Sequence, residues 1–186
     1  MKKVAGVDEV GRGSLIGPVY AAAVILNKNI NKKVLKDSKI LTRNKRKILA
    51  TYIKKNSIWA VGKASAKEIE KINILNASLL AMKRAIKNLK RKPDLVLIDG
   101  NKLPDMKNYN LRSVIKGDQK IASISAASII AKVSRDKMII KLGKKFKGYN
   151  WSQNFGYGTR QHLKAIKRVG ISPHHRKTFS PFRREK

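Results

Sequence analysis

The sequence predicts an α/β protein built on a sheet of mixed direction. Three observations carry that prediction. Two apolar runs open the chain, residues 4–10 and 17–26, and the stretch around Gly11-Arg12-Gly13 between them is short enough to join an antiparallel pair. Helical and extended patterns then alternate along the chain. Among them Leu95-Val96-Leu97-Ile98 is continuously apolar, the mark of a buried parallel strand.

Each element has its own local reason. Residues 17–26 are almost wholly apolar, which predicts a second strand covered on both faces. Asp37-Ser38-Lys39 lies in a polar loop, and Thr42 then caps a basic helix to about Lys55. Residues 57–64 predict a third strand. Ser65 with Glu68 makes a capping-box pattern for a short helix. A longer helix follows over 74–89, with Leu75, Leu79, Met82 and Ile86 at helical spacing, and Pro93 closes that region. The strand at 95–98 runs into Asp99-Gly100-Asn101, and a further strand at 111–115 runs into Gly117-Asp118. A long helix rich in Ala, Ser and Ile spans 122–142, its small residues suited to close packing on a sheet. Gly156-Tyr157-Gly158-Thr159 is a loop whose Thr159 caps a last helix to residue 169. Residues 174–186 are basic with little periodicity. With no repeat and no linker, the 186 residues are expected to form a single domain, about the last 15 being a basic C-terminal tail.

Composition narrows the class. Hydrophobic residues make up 42% of the chain, enough for a folded core, and the absence of cysteine excludes disulfides and thiolate metal sites. Asp8, Glu9 and Arg12 interrupt the opening apolar region where a signal peptide would be uncharged. No stretch reaches the ~18 apolar residues of a membrane span. A cytoplasmic, monomeric protein is expected, with no membrane partner. There are 44 Lys and Arg against 11 Asp and Glu, a net charge of +33. That charge is read equally as a surface for nucleic acid and as a lysine-rich compositional bias, lysine outnumbering arginine 32 to 12.

In so basic a chain the few acids are informative. Asp8 and Glu9 stand side by side at the end of the first strand, and Asp99 and Asp118 follow two later strands. In open α/β sheets ligands sit beyond the carboxyl ends of parallel strands. Four carboxylates with no thiolate favour a hard divalent cation, Mg²⁺ or Mn²⁺. Two such ions activate a water and stabilise the leaving oxygen of a phosphodiester. Plainer readings stand beside these. Asp99 before glycine is commonly a turn residue, and Asp118 is equally a helix cap. Gly11-Arg12-Gly13 is equally a tight hairpin turn. Tyr157, exposed between glycines, equally stacks on a sugar or base or packs over its own loop. Asp136 is expected to pair with Arg135 on a helix face, and His174-His175 to be structural. A phosphotransferase is disfavoured because no G-x-x-x-x-G-K-[ST] loop occurs. A non-catalytic basic nucleic-acid-binding protein accounts for the charge but not for the four acids, which oppose polyanion binding unless metal intervenes.

Taken in order, several motifs closely resemble the type 2 ribonuclease H family, ribonuclease HII. They are the run from Ala5 through Gly13, Gly17-Pro18-Val19, Asp37-Ser38-Lys39, Leu97-Ile98-Asp99-Gly100, Gly117-Asp118, the run from Ser125 through Val133, Arg135-Asp136, Gly156-Tyr157-Gly158-Thr159, and the run from His175 through Pro181. The matches cover almost the whole chain. The type 3 family is less similar, since it carries an extra N-terminal domain. The resemblance implies the ribonuclease H-like fold, a mixed five-stranded sheet flanked by helices. It implies metal-dependent cleavage of the RNA strand of RNA–DNA hybrids, and cleavage 5′ to single ribonucleotides embedded in duplex DNA, leaving 3′-hydroxyl and 5′-phosphate ends. Asp8, Glu9, Asp99 and Asp118 match the family's catalytic, metal-holding carboxylates. Gly11, Arg12 and Gly13 match the segment that reads the ribose 2′-hydroxyl, and Tyr157 the tyrosine that stacks on that ribose. Lys39 and Arg46 are expected on the duplex backbone. A branched side chain at Gly11 or Gly13 is expected both to strain the turn and to block the sugar, and the glycines around Tyr157 to be flexible.

Overall fold

The computed structural model describes residues 2–35 and 42–182. Asp37, Ser38 and Lys39 lie outside the described residues. The strands are β1 (Val4–Val10), β2 (Val19–Leu26), β3 (Ser57–Ala64), β4 (Leu95–Asp99) and β5 (Leu111–Val114). They form one sheet in the order β3-β2-β1-β4-β5. The β1–β2 and β2–β3 pairs are antiparallel, whereas β1–β4 and β4–β5 are parallel. The expected mixed five-stranded sheet is thus the one observed. Strand β2 starts at residue 19 and not 17, because Gly17 turns with φ +67° and Pro18 has no N–H to give the ladder.

The helices are α1 (Arg43–Lys55), α2 (Ala66–Lys87), α3 (Gly117–Lys120), α4 (Ala122–Lys145), α5 (Trp151–Asn154) and α6 (Arg160–Val169). Thr42, Ser65 and Thr159 cap α1, α2 and α6, their hydroxyls accepting from Lys45, Glu68 and His162 N–H groups. The two helices expected across 66–89 form one run broken at Asn73, whose backbone turns to φ 65°. Asn73 Oδ1 accepts the Asn76 N–H at 3.1 Å and so caps the second half. The four-residue α5 has too little periodicity to be read from sequence.

The sheet is covered on both faces, and the period of two in its strands decides what goes where. Ala21, Ala23 and Ile25 of β2 pack with Ala77, Ala81 and Ile86 of α2. Ala22 and Val24, the alternate residues, pack with Ala126 and Ile130 of α4 and Ile53 of α1. This is why β2 is apolar throughout. Helix α4 lies so close to β1 that a Cβ on Gly6 would meet the Ser123 carbonyl carbon at 2.1 Å. A third cluster joins Leu15 and Ile16 to Ile139, Tyr149, Trp151 and Ala165.

The described part of the basic C-terminal tail is anchored on the fold. His175 and Arg176 are buried, the Arg176 N–H donates to Leu15 O at 2.9 Å, and His175 bridges Ile16. Residues that read as charged and aperiodic complete the third core cluster through Phe179 and Phe182. No described helix is long and apolar enough to cross a membrane.

Candidate active site

The site begins with strand parity. Val7 pairs with Ile98 in the parallel β1–β4 ladder, so Asp8 and Asp99 are the next positions along neighbouring strands. Val7 and Ile98 face α2, hence Asp8 and Asp99 both face α4. Neighbouring strands are ~4.8 Å apart, so two carboxylates share one corner of the sheet. By the same alternation Glu9 leaves β1 on the opposite face.

These carboxylates act on one another. Asp8 is only 5% exposed and is pushed up to about 8, chiefly by burial, with the Glu9 and Asp99 charges adding to the effect. The Ser128 hydroxyl on α4 and the Glu9 N–H, which donates to Asp8 Oδ1 at 2.7 Å, pull the other way. Burial also raises Glu9, while the Arg12 guanidinium, 3.3 Å from Glu9 Oε1, lowers it. Asp99 Oδ1 accepts the Gly117 N–H at 2.7 Å, which ties β4 to the first turn of α3.

Asp118 comes next on that turn. It is half-buried and lines a cavity of about 610 Å³ with Lys2, Lys28, Lys32 and Lys120. The charges that press most on Asp8 come from Glu9 and Asp99. Among the described residues no three His, Cys, Asp or Glu side chains are gathered so as to hold a metal ion. Glu9, on the opposite face of β1 by strand alternation, is engaged by Arg12.

The Gly11–Gly13 turn leads directly from these acids. Gly11 has φ +93°, and a Cβ there would fall 2.2 Å from Arg135 Nε, so both backbone and packing require glycine. Gly13 differs: a Cβ there would meet nothing within 4 Å, and its φ is not in the left-handed region. The expectation of strain therefore holds for Gly11 and is corrected for Gly13.

Tyr157 comes to the same place from the far end of the chain, bridging Ser14. The Leu15 N–H donates to Gly156 O at 2.8 Å, and the Ser14 hydroxyl donates to the same oxygen at 3.0 Å. Gly156 is tied into the fold: its N–H donates to Asn154 Oδ1 at 2.8 Å, and a Cβ there would fall 2.2 Å from Ile16. The Tyr157 ring is half-buried, with Lys132 and Arg135 at 5.7 and 5.6 Å from its centroid.

Arg46 is half-buried on α1 and lines a cavity of about 410 Å³ with Arg43, Lys47, Lys54 and Lys137. Lys39 lies outside the described residues. Asp136 pairs with Lys132 at 2.9 Å and not with Arg135, whose guanidinium turns inward to backbone carbonyls. Sequence reasoning missed Ser128, Arg135, Arg176 and the Trp151–His162 pair. Trp151 Nε1–H donates to His162 Nε2 at 2.9 Å, leaving Nδ1 to meet Tyr157 O at 2.9 Å. Each lies in or beside a motif noted above, but none carries a local sign of where its side chain points.

Comparison with known proteins places the fold in a family. The ribonuclease HII family model matches residues 5–182. A ribonuclease HII of Pelagibacter ubique (strain HTCC1062) is 76% identical over 181 residues, covering 97% of each chain. The crystal structure of the ribonuclease H2 from Pyrococcus horikoshii OT3 superposes with a TM-score of 0.79 at 29% identity, covering 97% of this chain and 95% of that one. Bst-RNase HIII in complex with Mn²⁺ shares the fold at 20% identity and a TM-score of 0.73, this chain covering 68% of it. With the model matched along almost the whole fold and so close a relative, this chain belongs to the ribonuclease HII family and is an endoribonuclease.

Proposed function

We propose that this chain hydrolyses the RNA strand of RNA–DNA hybrids and also cuts 5′ to a single ribonucleotide set in duplex DNA, leaving 3′-hydroxyl and 5′-phosphate ends. The observation that supports this most is the pairing of Asp8 and Asp99 on one face, at the shared end of two parallel strands, with the Gly11–Gly13 turn running on from it. In this reading Asp8, Glu9, Asp99 and Asp118 hold a divalent cation, Mn²⁺ or Mg²⁺. The donor set fits, being all carboxylate oxygen, and the burial that chiefly raises Asp8, with the Glu9 and Asp99 charges behind it, is what a hard cation offsets. Bound as a pair, such ions supply an activated water and a stabilised leaving oxygen.

The chain's own residues supply the rest. Strands β1 and β4 hold two of the carboxylates rigidly. Glu9 would complete the set only by turning from its side of β1 and giving up Arg12, whose guanidinium would then be open to a phosphate. The backbone at Gly13 is open to a sugar, since nothing lies within 4 Å of its missing Cβ. Tyr157 stacks on the ribose from the other side, and Lys39 and Arg46 contact the duplex backbone. The protein acts on duplex nucleic acid as a monomer.

The test compares two labelled duplexes, one with a single ribonucleotide and one with a long RNA tract, each in Mg²⁺ and in Mn²⁺. Cleavage of both, 5′ to the lone ribonucleotide in the first, is expected. Cleavage of the long tract alone would remove the single-ribonucleotide activity from the reading.

A further inference from the structure

Two arginines lie wholly inside the protein next to the Gly11–Gly13 turn. Arg135 of α4 and Arg176 of the C-terminal segment are each 0% exposed. Among the described residues neither makes an ion pair, since Asp136 is taken by Lys132. A buried guanidinium without a counter-ion is strongly unfavourable. Arg176 is accordingly pulled down to about 9, by burial first and by the Arg135 charge second. One N–H of each, at Arg135 Nε and Arg176 Nη2, has no acceptor. Packing alone would be served better by a neutral side chain.

What the two side chains do bind is main chain from two distant segments. Arg135 donates from Nη1 to Phe155 O at 3.2 Å and from Nη2 to Ile16 O at 3.4 Å. Arg176 donates from Nε to Gly17 O and from Nη1 to Arg12 O, both at 2.9 Å. Arg135 therefore spans the segment after β1 and the loop before Tyr157, while Arg176 pins both ends of the first segment. Only a planar fork of donors reaches two carbonyls in this way; an ammonium acts as a single point and an alkyl chain has no donor.

We propose that Arg135 and Arg176 are positioning residues that set the register of the 11–17 segment against the 155–157 loop, so that the Gly11–Gly13 backbone and the Tyr157 ring meet on one nucleotide. The proposal rests on the reading above that these two segments sense the ribose. Any other register leaves a buried guanidinium without its carbonyls, which makes the observed one specific.

The test is a double-mutant cycle with cleavage of a single-ribonucleotide duplex as readout. Arg135→Met, which keeps the packing volume, is combined with Tyr157→Ala, and Arg135→Lys and Arg176→Lys are measured beside it. Arg135→Met is expected to lower kcat/KM by about 10²-fold, the order expected from misplacing a contact by about an ångström. Adding Tyr157→Ala is expected to lower it little further, because the two act as one unit. Arg135→Lys is expected to rescue only in part. Hydrogen exchange gives an independent readout: in either lysine variant the Leu15 amide should lose protection while the β1–β4 ladder keeps it. If the losses from Arg135→Met and Tyr157→Ala multiply independently, or if protection falls uniformly, the arginines are structural and the proposal fails. Should Arg135→Met not fold, the lysine variants and the exchange readout decide the matter. If Tyr157→Ala cleaves the junction as wild type does, the ribose-sensing reading fails instead, whatever the arginine variants show.

Discussion

If Asp8 holds metal as proposed, it shows most directly how function opposes stability in this chain. It is a buried carboxyl with two acidic neighbours, raised to about 8, and each of those features works against folding with the charge present. Asp8→Asn keeps the size and removes the charge. Its melting temperature without divalent metal is expected to equal or exceed that of wild type, while cleavage falls by at least about 10³-fold, because a neutral amide binds a hard cation weakly. Thermal melts and cleavage in Mg²⁺ check the two halves; wild-type-like cleavage would remove Asp8 from the site. The glycines of the next turn separate in the same manner. Gly11→Ala places a Cβ at φ +93° and 2.2 Å from Arg135 Nε, and should lose about 2 kcal/mol or more of stability. Gly13→Ala meets nothing within 4 Å and should change stability by less than about 0.5 kcal/mol. If the Gly13 backbone approaches a ribose, that silent substitution still costs activity, and denaturant melts beside cleavage rates tell the two effects apart.

At the scale of elements, helix α2 depends on one carboxylate. Glu68 closes the capping box with Ser65 and also takes Arg84 Nη2 at 2.7 Å. Glu68 and Arg84 stand on opposite sides of the break at Asn73, so the pair ties the two halves of the helix across its kink. Arg84 extends the tie to β3 by donating to Lys63 O at 2.8 Å. These partners, the Arg84 hydrogen bond foremost, hold the Glu68 carboxyl at about 2, below its ordinary 4.5. The unfolded chain therefore binds more protons in that interval, so the contribution is complete above pH 4.5 and fades as pH falls towards 2. Glu68→Ala should destabilise the protein by about 1 kcal/mol near neutral pH. The gap to wild type should narrow in acid, and a little in salt because the pair is partly exposed. Melts over that pH range measure it; a constant gap would mean that the contribution is packing and not charge.

For the whole molecule the charge of +33 is the dominant fact. The cavity between α1 and α4 gathers five of these charges, Arg43, Arg46, Lys47, Lys54 and Lys137, around one opening with Asp136, whose carboxylate pairs with Lys132. If these groups meet phosphates, log affinity for duplex falls linearly with log salt, by about 0.9 for each phosphate neutralised. Binding of the Asp8→Asn protein to a hybrid duplex should weaken by about 10³-fold or more between about 50 and 200 mM salt, as for a protein with six or more phosphate contacts. A flat response would assign the charge to compositional bias. Charge-to-alanine changes at Arg46 should reduce the slope by about one and affect all duplex sequences alike.

The sequence by itself determined the elements and most of the candidate site. Caps at Thr42, Ser65 and Thr159, the apolar runs of β1, β2 and β4, and the acids at strand ends are local signals, readable because a helix start or a strand parity depends on residues within a few positions. Tertiary structure alone decided which neighbours those residues acquire. That Asp8 and Asp99 share a face follows from the β1–β4 register, which no local window contains. That Asp136 pairs with Lys132 follows because Arg135 is drawn inward by carbonyls at residues 16 and 155. His175 and Arg176 of the basic ending are buried for the same reason. A charged residue in a chain with 44 Lys and Arg reads as surface, and only contacts made across more than a hundred residues reveal that Arg176 is fully buried against Arg12 and Gly17. Burial belongs to the partners a side chain meets, and in this chain those partners come from its opposite end.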